Sequence, residues 1–518
     1  MGGAPQGRTR ALRSIYHAAL RKEPMFEPDY AEFCSLAAKG NRVAVIREIL
    51  ADLETPVSAF LKLDKGGDAF LFESVEGPEK WGRFSFLGIE PAAVLSAKGT
   101  QTTLTFRGEE PRVIVGENPL NEARRVLRQL QTVSSRPLPR FDGGWVGYLG
   151  YDLVRHFERL PSPPRDDLHL PDVYLMLVDT FLVFDNLKHT ITAVTYAPTE
   201  GQALDQSYAD ACRRLQGLVE RLRRSVDAPI EFGAMEHSAE LPRANVSREQ
   251  YEAMVRKAND YIVAGDIIQV VLAQRFEGEL RSDPFQVYRC LRKINPAPYM
   301  FFLRTGEATL VGSSPEVMVR LEGREVTVRP IAGTRPRGTD EVSDRELENE
   351  LRQDAKEIAE HIMLVDLGRN DVGRVAEVGS VEVTECMVVE RYSHVMHLVS
   401  NVRGTLKRGL DAFDALAATF PAGTLTGAPK IRAMEIIDEL EPTQRGVYGG
   451  AVGYFGFSGN MDTCITIRTI LINGGRYYVQ AGAGIVADSV PEREHQECVN
   501  KARAALQAIR LAERLGRD

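Results

Sequence analysis

KEIAEHIMLVDLGRND (Lys356–Asp371) and PEREHQECVNKARAAL (Pro491–Leu506) are the two stretches on which the reading of this chain turns. Each sets two glutamates three residues apart inside an apolar-periodic pattern, Glu357 with Glu360 and Glu494 with Glu497, so each pair shares one helix face. Four carboxylates that could converge from two helices suit a hard cation. Magnesium is the expected ion, because it takes one or two carboxylates directly and keeps waters and substrate oxygens in its other positions. His361 and His495 adjoin the pairs and raise a zinc or di-iron alternative. There is no HExxH, however, and Glu492 with His495 is the only E-x-x-H step, where a di-iron bundle needs two.

The surrounding chain is that of a large globular protein. At 518 residues it exceeds one ordinary core, and 43% hydrophobic with 26% charged residues is an ordinary water-soluble balance. A formal charge of -8 without a long basic run argues against a nucleic-acid surface. The six cysteines (34, 212, 290, 386, 464, 498) stand singly, with no CxxC, which suits a reducing cytoplasm. No apolar run approaches the roughly 18 residues of a membrane span. In the first 24 residues Arg8, Arg10, Arg13, Arg21 and Lys22 face one acid, Glu23. A targeting segment, a disordered extension and a start displaced to Met25 all remain open there.

Periodicity predicts an amphipathic helix over 42–55, then strands at SAFLKL, AFLFES, RFSFLG, AVLSA and TTLTF, and a charged helix over 203–225. The turn-rich stretch after it marks a boundary. This divides the chain into an extension (1–40), a first domain (41–230) and a second (245–518). The second domain is expected to hold helices at 248–264, 283–293, 344–368, 411–419, 428–440 and 491–514, with strands between them that include 463–472 and 476–486. One frame, GGxVGYxG, occurs twice, at Gly143–Gly150 and Gly449–Gly456, and predicts a similar central strand from each half of a sandwich.

Other segments carry chemistry. GAGIV (Gly482–Val486) leaves a strand just before the second glutamate pair, with residues small enough for backbone N–H groups to approach an anion. PAGTLTGAPK (Pro421–Lys430) is a glycine-containing loop that opens a helix without the GK[ST] ending of a phosphate loop. Arg468 is expected on an alternating strand. Lys501 lies one helical turn past Glu497. Cations beside a metal site suit an acidic organic substrate.

Taken together, LFES (Leu71–Ser74), RFSFLG, NPAPYMFF (Asn295–Phe302), GSSPE (Gly312–Glu316), PIAGTRPRG (Pro330–Gly338), AEHIMLVDLGRND, HVMHLVS, FPAGTLTGAPK, YGGAVGY, CITIRT and AGAGIVADSVPEREHQE closely resemble the large subunits of anthranilate synthase, from about residue 40 onward. The resemblance implies an α/β structure of the α+β type, the chorismate-utilising fold, with two intertwined domains and β-sheets sandwiched between helical layers. It implies conversion of chorismate and ammonia to anthranilate and pyruvate, the first step of tryptophan biosynthesis. Two positions separate it from sibling enzymes. Gln269 stands where water-using relatives carry a lysine, and Ala332 stands where others carry a nucleophilic lysine.

By the same resemblance, Glu360 and Glu497 would ligate magnesium directly, with Glu357 and Glu494 holding its waters. Gly333, Thr334, Tyr448, Arg468, Lys501, Thr424 and the backbone of Gly482, Ala483 and Gly484 would hold the substrate carboxylates. Glu316 would protonate the departing hydroxyl and His397 would move a proton during pyruvate loss, with His394 structural. Glu73, Ser74, Pro298, Tyr299, Met300 and Tyr454 would line a tryptophan pocket for feedback inhibition, and Phe72 departs from the commoner LLES. The chain has no GxCxG elbow, so a separate glutamine amidotransferase subunit is expected, in a heterotetramer of two large and two small subunits. Alternatives are a synthase that stops at the amino intermediate and a catalytically silent protein of the same fold.

Overall fold

Runs such as VAVI (Val43–Ile46), WVGYL (Trp145–Leu149) and VYLMLV (Val173–Val178) put bulky apolar groups on successive residues, so as strands they need cover on both faces. The computed structural model describes residues 25–75, 82–231, 241–392 and 395–515, and it supplies both covers. Among the described residues, 13 strands form one sheet and 12 another. The sheets pack face to face. Ala44, Ile46, Val146, Met176, Leu303 and Val452 meet between them. The outer face of the larger sheet is covered by helices Pro56–Leu63, Leu204–Leu222, Pro284–Ile294 and Pro491–Ala512. The outer face of the smaller is covered by Pro119–Gln129, Ala355–Val375 and Ala412–Thr419. The β-sheets between helical layers expected from the sequence are therefore present.

Both sheets draw on both halves of the chain. Strand Ala69–Glu73 pairs with Tyr299–Thr305 in the larger sheet, and Gly144–Leu149 pairs with Ala451–Gly456 in the smaller. This second pair is the repeated GGxVGYxG frame. Its strands are antiparallel neighbours with Gly147 opposite Gly453. A Cβ at these two glycines would lie 1.9 Å from the Tyr174 carbonyl oxygen and 2.1 Å from that of Asp462, so close backbone approach demands glycine at both.

Several local expectations are corrected. Residues 42–55 do not form a helix; Arg42–Leu50 is a strand. Val43 and Val45 face the helices while Ala44 and Ile46 face the other sheet, and burial on both sides erased the alternation that marks a strand. SAFLKL is not a strand but part of helix Pro56–Leu63. Thr55 caps it in a capping box with Ser58, and Pro56 opens it. The helix expected over 344–368 is two, Glu341–Gln353 and Ala355–Val375, divided at Asp354, whose carboxylate accepts from the N–H groups of Lys356 and Glu357. The strand expected over 463–472 is also two, Met461–Ile465 in the smaller sheet and Thr469–Asn473 in the larger. Residues 1–24, part of the domain boundary (232–240) and His394 lie outside the described residues.

At the break between Ile465 and Thr469 the chain passes from one sheet to the other, and beside it a second passage runs from Ala308–Ser314 to Val317–Glu322. Two backbone hydrogen bonds tie the passages together. The Ile465 N–H donates to the Glu316 carbonyl (3.0 Å) and the Ser313 N–H to the Arg468 carbonyl (3.2 Å).

Candidate active site

Glu357 and Glu360 lie in the first turns of helix Ala355–Val375, and Glu494 and Glu497 in those of Pro491–Ala512. Lys356 of the first helix pairs with Asp488, in the turn just before the second (3.5 Å). Strand Gln269–Glu279 lies beside Arg476–Ile485, which delivers the small residues Gly482 and Gly484 to the carboxylates. The Gln269 amide donates to Glu360 Oε1 (3.3 Å), while its own Oε1 is buried with no partner. A Cβ at Gly484 would lie 2.4 Å from Gln269 Nε2, so glycine there keeps the amide on Glu360. Lys501 joins Glu497 (2.7 Å) and donates to the Gly482 carbonyl (3.0 Å). Arg468 donates in turn to the Lys501 carbonyl (3.1 Å). Tyr448 is buried with its hydroxyl 2.9 Å from where a Gly482 Cβ would stand.

Arg468 is not on a strand, as expected from the sequence, but at the sheet crossing, with a left-handed φ of 51°. Alternation in CITIRT is interrupted there because the chain changes sheets. Glu316 occupies the neighbouring crossing. Burial pushes its carboxyl up to about 8, opposed by Thr424 and by the charge of Lys501. Thr424 lies near this carboxyl, but its hydroxyl makes no hydrogen bond of good geometry.

Strand Ile331–Pro336 carries a bulge between Ala332 and Thr334 against Val395–Thr405. Gly333 occupies it with φ 68°, and a Cβ there would approach Glu357 Oε2 at 3.2 Å. The bulge aims Thr334 at His397, whose Nδ1 lies 3.0 Å from the Thr334 hydroxyl and 3.0 Å from the Gly333 carbonyl. Burial lowers the His397 pKa, opposed by that carbonyl, so the ring is neutral with its proton on Nδ1 and its Nε2 lone pair open. Ala483 is the exception among the substrate candidates. Its side chain faces the core beside Tyr251 and Ile436, so only its backbone and the flanking glycines border the site.

The donor set is all oxygen, which fits a hard cation. Glu357 is raised by burial first and then by the charge of Glu360. Glu494 is raised by burial, with Ser489 opposing and Glu497 adding. Like charges held together and partly dehydrated favour a bound cation. Among the described residues no three ligating groups form a preformed cage; an ion that keeps several waters does not require one. Neither adjoining histidine takes part. His361 is buried against the Ser400 hydroxyl (2.6 Å), and the His495 ring packs on Tyr251. Sequence reasoning missed Arg335, which holds Glu350, Asp354 and Glu357 together. It also missed Arg445, which is buried between Glu441, the Leu425 and Val271 carbonyls and the Tyr448 ring. Arg335 was in sight within PIAGTRPRG; Arg445 had no local signal. Burial raises the pKa of Cys212, of Cys290 to about 11 and of Cys498 to about 12, and raises Cys464 further, so none of these four is an activated thiolate.

A second cavity, about 390 Å³, opens between the sheets and is bordered by all six of Glu73, Ser74, Pro298, Tyr299, Met300 and Tyr454. The Ser74 hydroxyl is buried with no partner. Glu73 is already engaged by Tyr288 and by Arg292 (3.1 Å), so the hydroxyl, more than the carboxylate, is open to a ligand. The sequence did not point to Asp462 and Arg320, which line the same cavity, pair at 2.8 Å and hold the Tyr299 hydroxyl.

Comparison with known proteins identifies the family and the fold. Residues 68–507 match the family model of the chorismate binding enzymes. Anthranilate synthase component 1 of Pseudomonas putida is 52% identical over 488 residues, 93% of this chain and 98% of that protein. The crystal structure of anthranilate synthase component I from Streptococcus pneumoniae superposes with a TM-score of 0.73 at 37% identity, over 88% of this chain and 98% of that one. The menaquinone-specific isochorismate synthase of Escherichia coli shares the fold, with a TM-score of 0.67 at 19% identity over 97% of this chain and 100% of that one. No helix among the described residues is long and apolar enough to cross a membrane. The similarity extends across nearly the whole length of these relatives and includes every element that carries the carboxylates, so the chain belongs to the anthranilate synthase component I family of chorismate-binding enzymes.

Proposed function

We propose that this protein is the chorismate-converting subunit of an anthranilate synthase, a carbon–oxygen lyase that makes anthranilate and pyruvate from chorismate and ammonia at the start of tryptophan biosynthesis. The observation that carries this reading is the Gln269 amide. Beside Gly484 it donates to Glu360, and its own oxygen is buried and unpartnered. That oxygen can accept from ammonia, and a neutral amide is too weak a base to activate water.

Glu360 and Glu497, with Glu357 and Glu494 behind them, are the residues to hold Mg²⁺, which when bound neutralises and orients the ring carboxylate. Arg468, Lys501, Tyr448 and the Gly482–Gly484 backbone hold the substrate carboxylates. Ammonia attacks C2, the ring double bonds shift, and the C4 oxygen leaves with the proton of Glu316. His397, neutral with Nε2 open, then takes the C2 proton as pyruvate departs. Ala332 provides no amine for a covalent intermediate.

Ammonia comes in the cell from a separate glutaminase subunit, in an assembly of two large and two small subunits in the cytoplasm. The shielding of Cys212, Cys290, Cys464 and Cys498 fits that division of labour. Tryptophan inhibits by entering the cavity between the sheets, where Tyr299 and Met300 pack on the indole. The decisive assay combines purified protein, chorismate, Mg²⁺ and an ammonium salt and follows anthranilate fluorescence and pyruvate. Anthranilate is the expected product. An amino intermediate without pyruvate would identify a synthase that stops halfway, and no turnover a silent relative.

A further inference from the structure

Glu316 and Thr424 also border a smaller cavity, about 40 Å³, that reaches past Gly368 to Asp371 between helix Ala355–Val375 and strands Val317–Glu322 and Glu325–Val328. One water occupies about 10–15 Å³ of such volume, so a short file of waters fits. Its polar partners are spaced along the way. The Glu316 carboxyl stands at the inner end, and near it the buried Thr424 hydroxyl, which makes no hydrogen bond of good geometry. Asp371 stands at the outer end, where its carboxylate takes two bonds of 2.9 Å from Lys430 and is 13% exposed. Val328, Leu364 and Leu367 make the walls apolar. Arg329, also on the wall, is committed to Glu385 and Glu390.

The reading of Glu316 as the acid, on which this inference rests, creates a need for such a passage. The C4–O bond breaks with its electron pair on oxygen, and that oxygen takes the Glu316 proton and leaves as water. The nitrogen that has joined C2 sheds a proton to solvent on the other side of the ring. Each cycle therefore leaves a dehydrated carboxylate at Glu316 that must regain one proton before the next, with no change of oxidation state anywhere. We propose that the cavity behind Glu316 is its proton-return path, in which waters seated between Thr424 and Asp371 carry the proton inward and Asp371 is the relay residue at the mouth. The water expelled from C4 is released at the inner end of the same file. Burial raises the Asp371 pKa against the pull of Lys430.

Two substitutions test the passage by different means. Gly368→Ala projects a methyl group towards Val328 Cγ2 (3.1 Å) and Pro330 Cγ (3.4 Å), constricting the file from a helical position that favours alanine. Asp371→Asn keeps the shape and removes the proton carrier. With chorismate, Mg²⁺ and an ammonium salt, each should lower kcat by about tenfold or more while chorismate KM stays within about twofold. Each should also raise the solvent deuterium isotope effect on kcat, and a small carboxylic acid in the buffer should partly rescue Asp371→Asn. If Asp371→Asn fails to fold, Gly368→Ala decides. Wild-type kcat and isotope effect in a Gly368→Ala protein of unchanged melting temperature overturn the path. Glu316→Gln separates the two readings: its inactivity beside a normal Gly368→Ala removes the path alone, and its full activity removes the acid assignment and the path with it.

Discussion

Glu316 and Arg468 occupy adjoining crossings between the two sheets, joined by the bonds from Ile465 to the Glu316 carbonyl and from Ser313 to the Arg468 carbonyl. Where neighbouring strands part company the backbone opens a cleft. The main-chain positions of a buried acid and a half-buried guanidinium are thereby fixed side by side.

The first prediction concerns Glu316. Its protonated form is the active one, so kcat should hold steady through neutrality and fall about tenfold per pH unit above about 8, the value to which burial raises it, with protonation of His397 giving a separate loss in acid. The sign for stability comes from the same shift. A carboxyl raised on folding binds its proton more tightly in the native state, so stability declines as pH climbs from the unfolded value towards 8. Glu316→Gln should be inactive yet melt higher than wild type at pH 9. A variant that melts lower there contradicts the buried-acid assignment.

Removing one carboxylate should disable the cation site. Glu360→Gln or Glu497→Gln should reduce turnover roughly 100-fold or more, and EDTA should abolish wild-type activity reversibly. Undiminished rates in EDTA would exclude a metal from the reaction.

Reaction choice should depend on Gln269 and Ala332. Gln269→Lys replaces the amide bonded to Glu360 with a base able to activate water, and Ala332→Lys sets an amine beside Gly333. Both should divert product away from anthranilate on chromatographic analysis. Wild-type yield with no new product in both variants would remove these positions from the specificity argument.

Tryptophan inhibition should depend on the cavity between the sheets. Ser74→Arg fills the space beside the open hydroxyl and Met300→Thr removes an apolar wall, so each should weaken inhibition about tenfold or more. Ammonia-dependent turnover should change little, since neither residue borders the carboxylates. Calorimetry showing no tryptophan binding to the wild type would end this reading.

Glutamine should be a substrate only with a partner subunit present. The isolated chain should make anthranilate from ammonium salts and none from glutamine; robust glutamine use by the single chain would contradict the assignment.

How much of this was legible in the sequence varied with the range of the forces involved. The glutamate pairs were visible because one helical turn places Glu357 beside Glu360 and Glu494 beside Glu497, a relation held within a few residues. The repeated GGxVGYxG frame foretold two similar strands, and close backbone approach accounts for its glycines. Strand Arg42–Leu50 was misread because cover on both faces removes the alternation that betrays strands. The division at Asp354 was missed because an aspartate that caps the next helix looks locally like a surface residue. Arg445 was invisible because its partners, Leu425, Val271 and Tyr448, come from separate segments and meet only in the folded core.

The stretch from Asp462 to Arg468 begins on the wall of the intersheet cavity and ends among the groups facing the carboxylates, crossing between the sheets on the way. Only Thr466, Ile467 and Arg468 separate its two strands, and its far end holds an uncommon left-handed backbone. A ligand that changed the spacing of the layers at one end would, on this reading, be expected to shift Arg468 at the other. If tryptophan is that ligand, the coupling is reciprocal: chorismate must loosen tryptophan by the same factor by which tryptophan loosens chorismate.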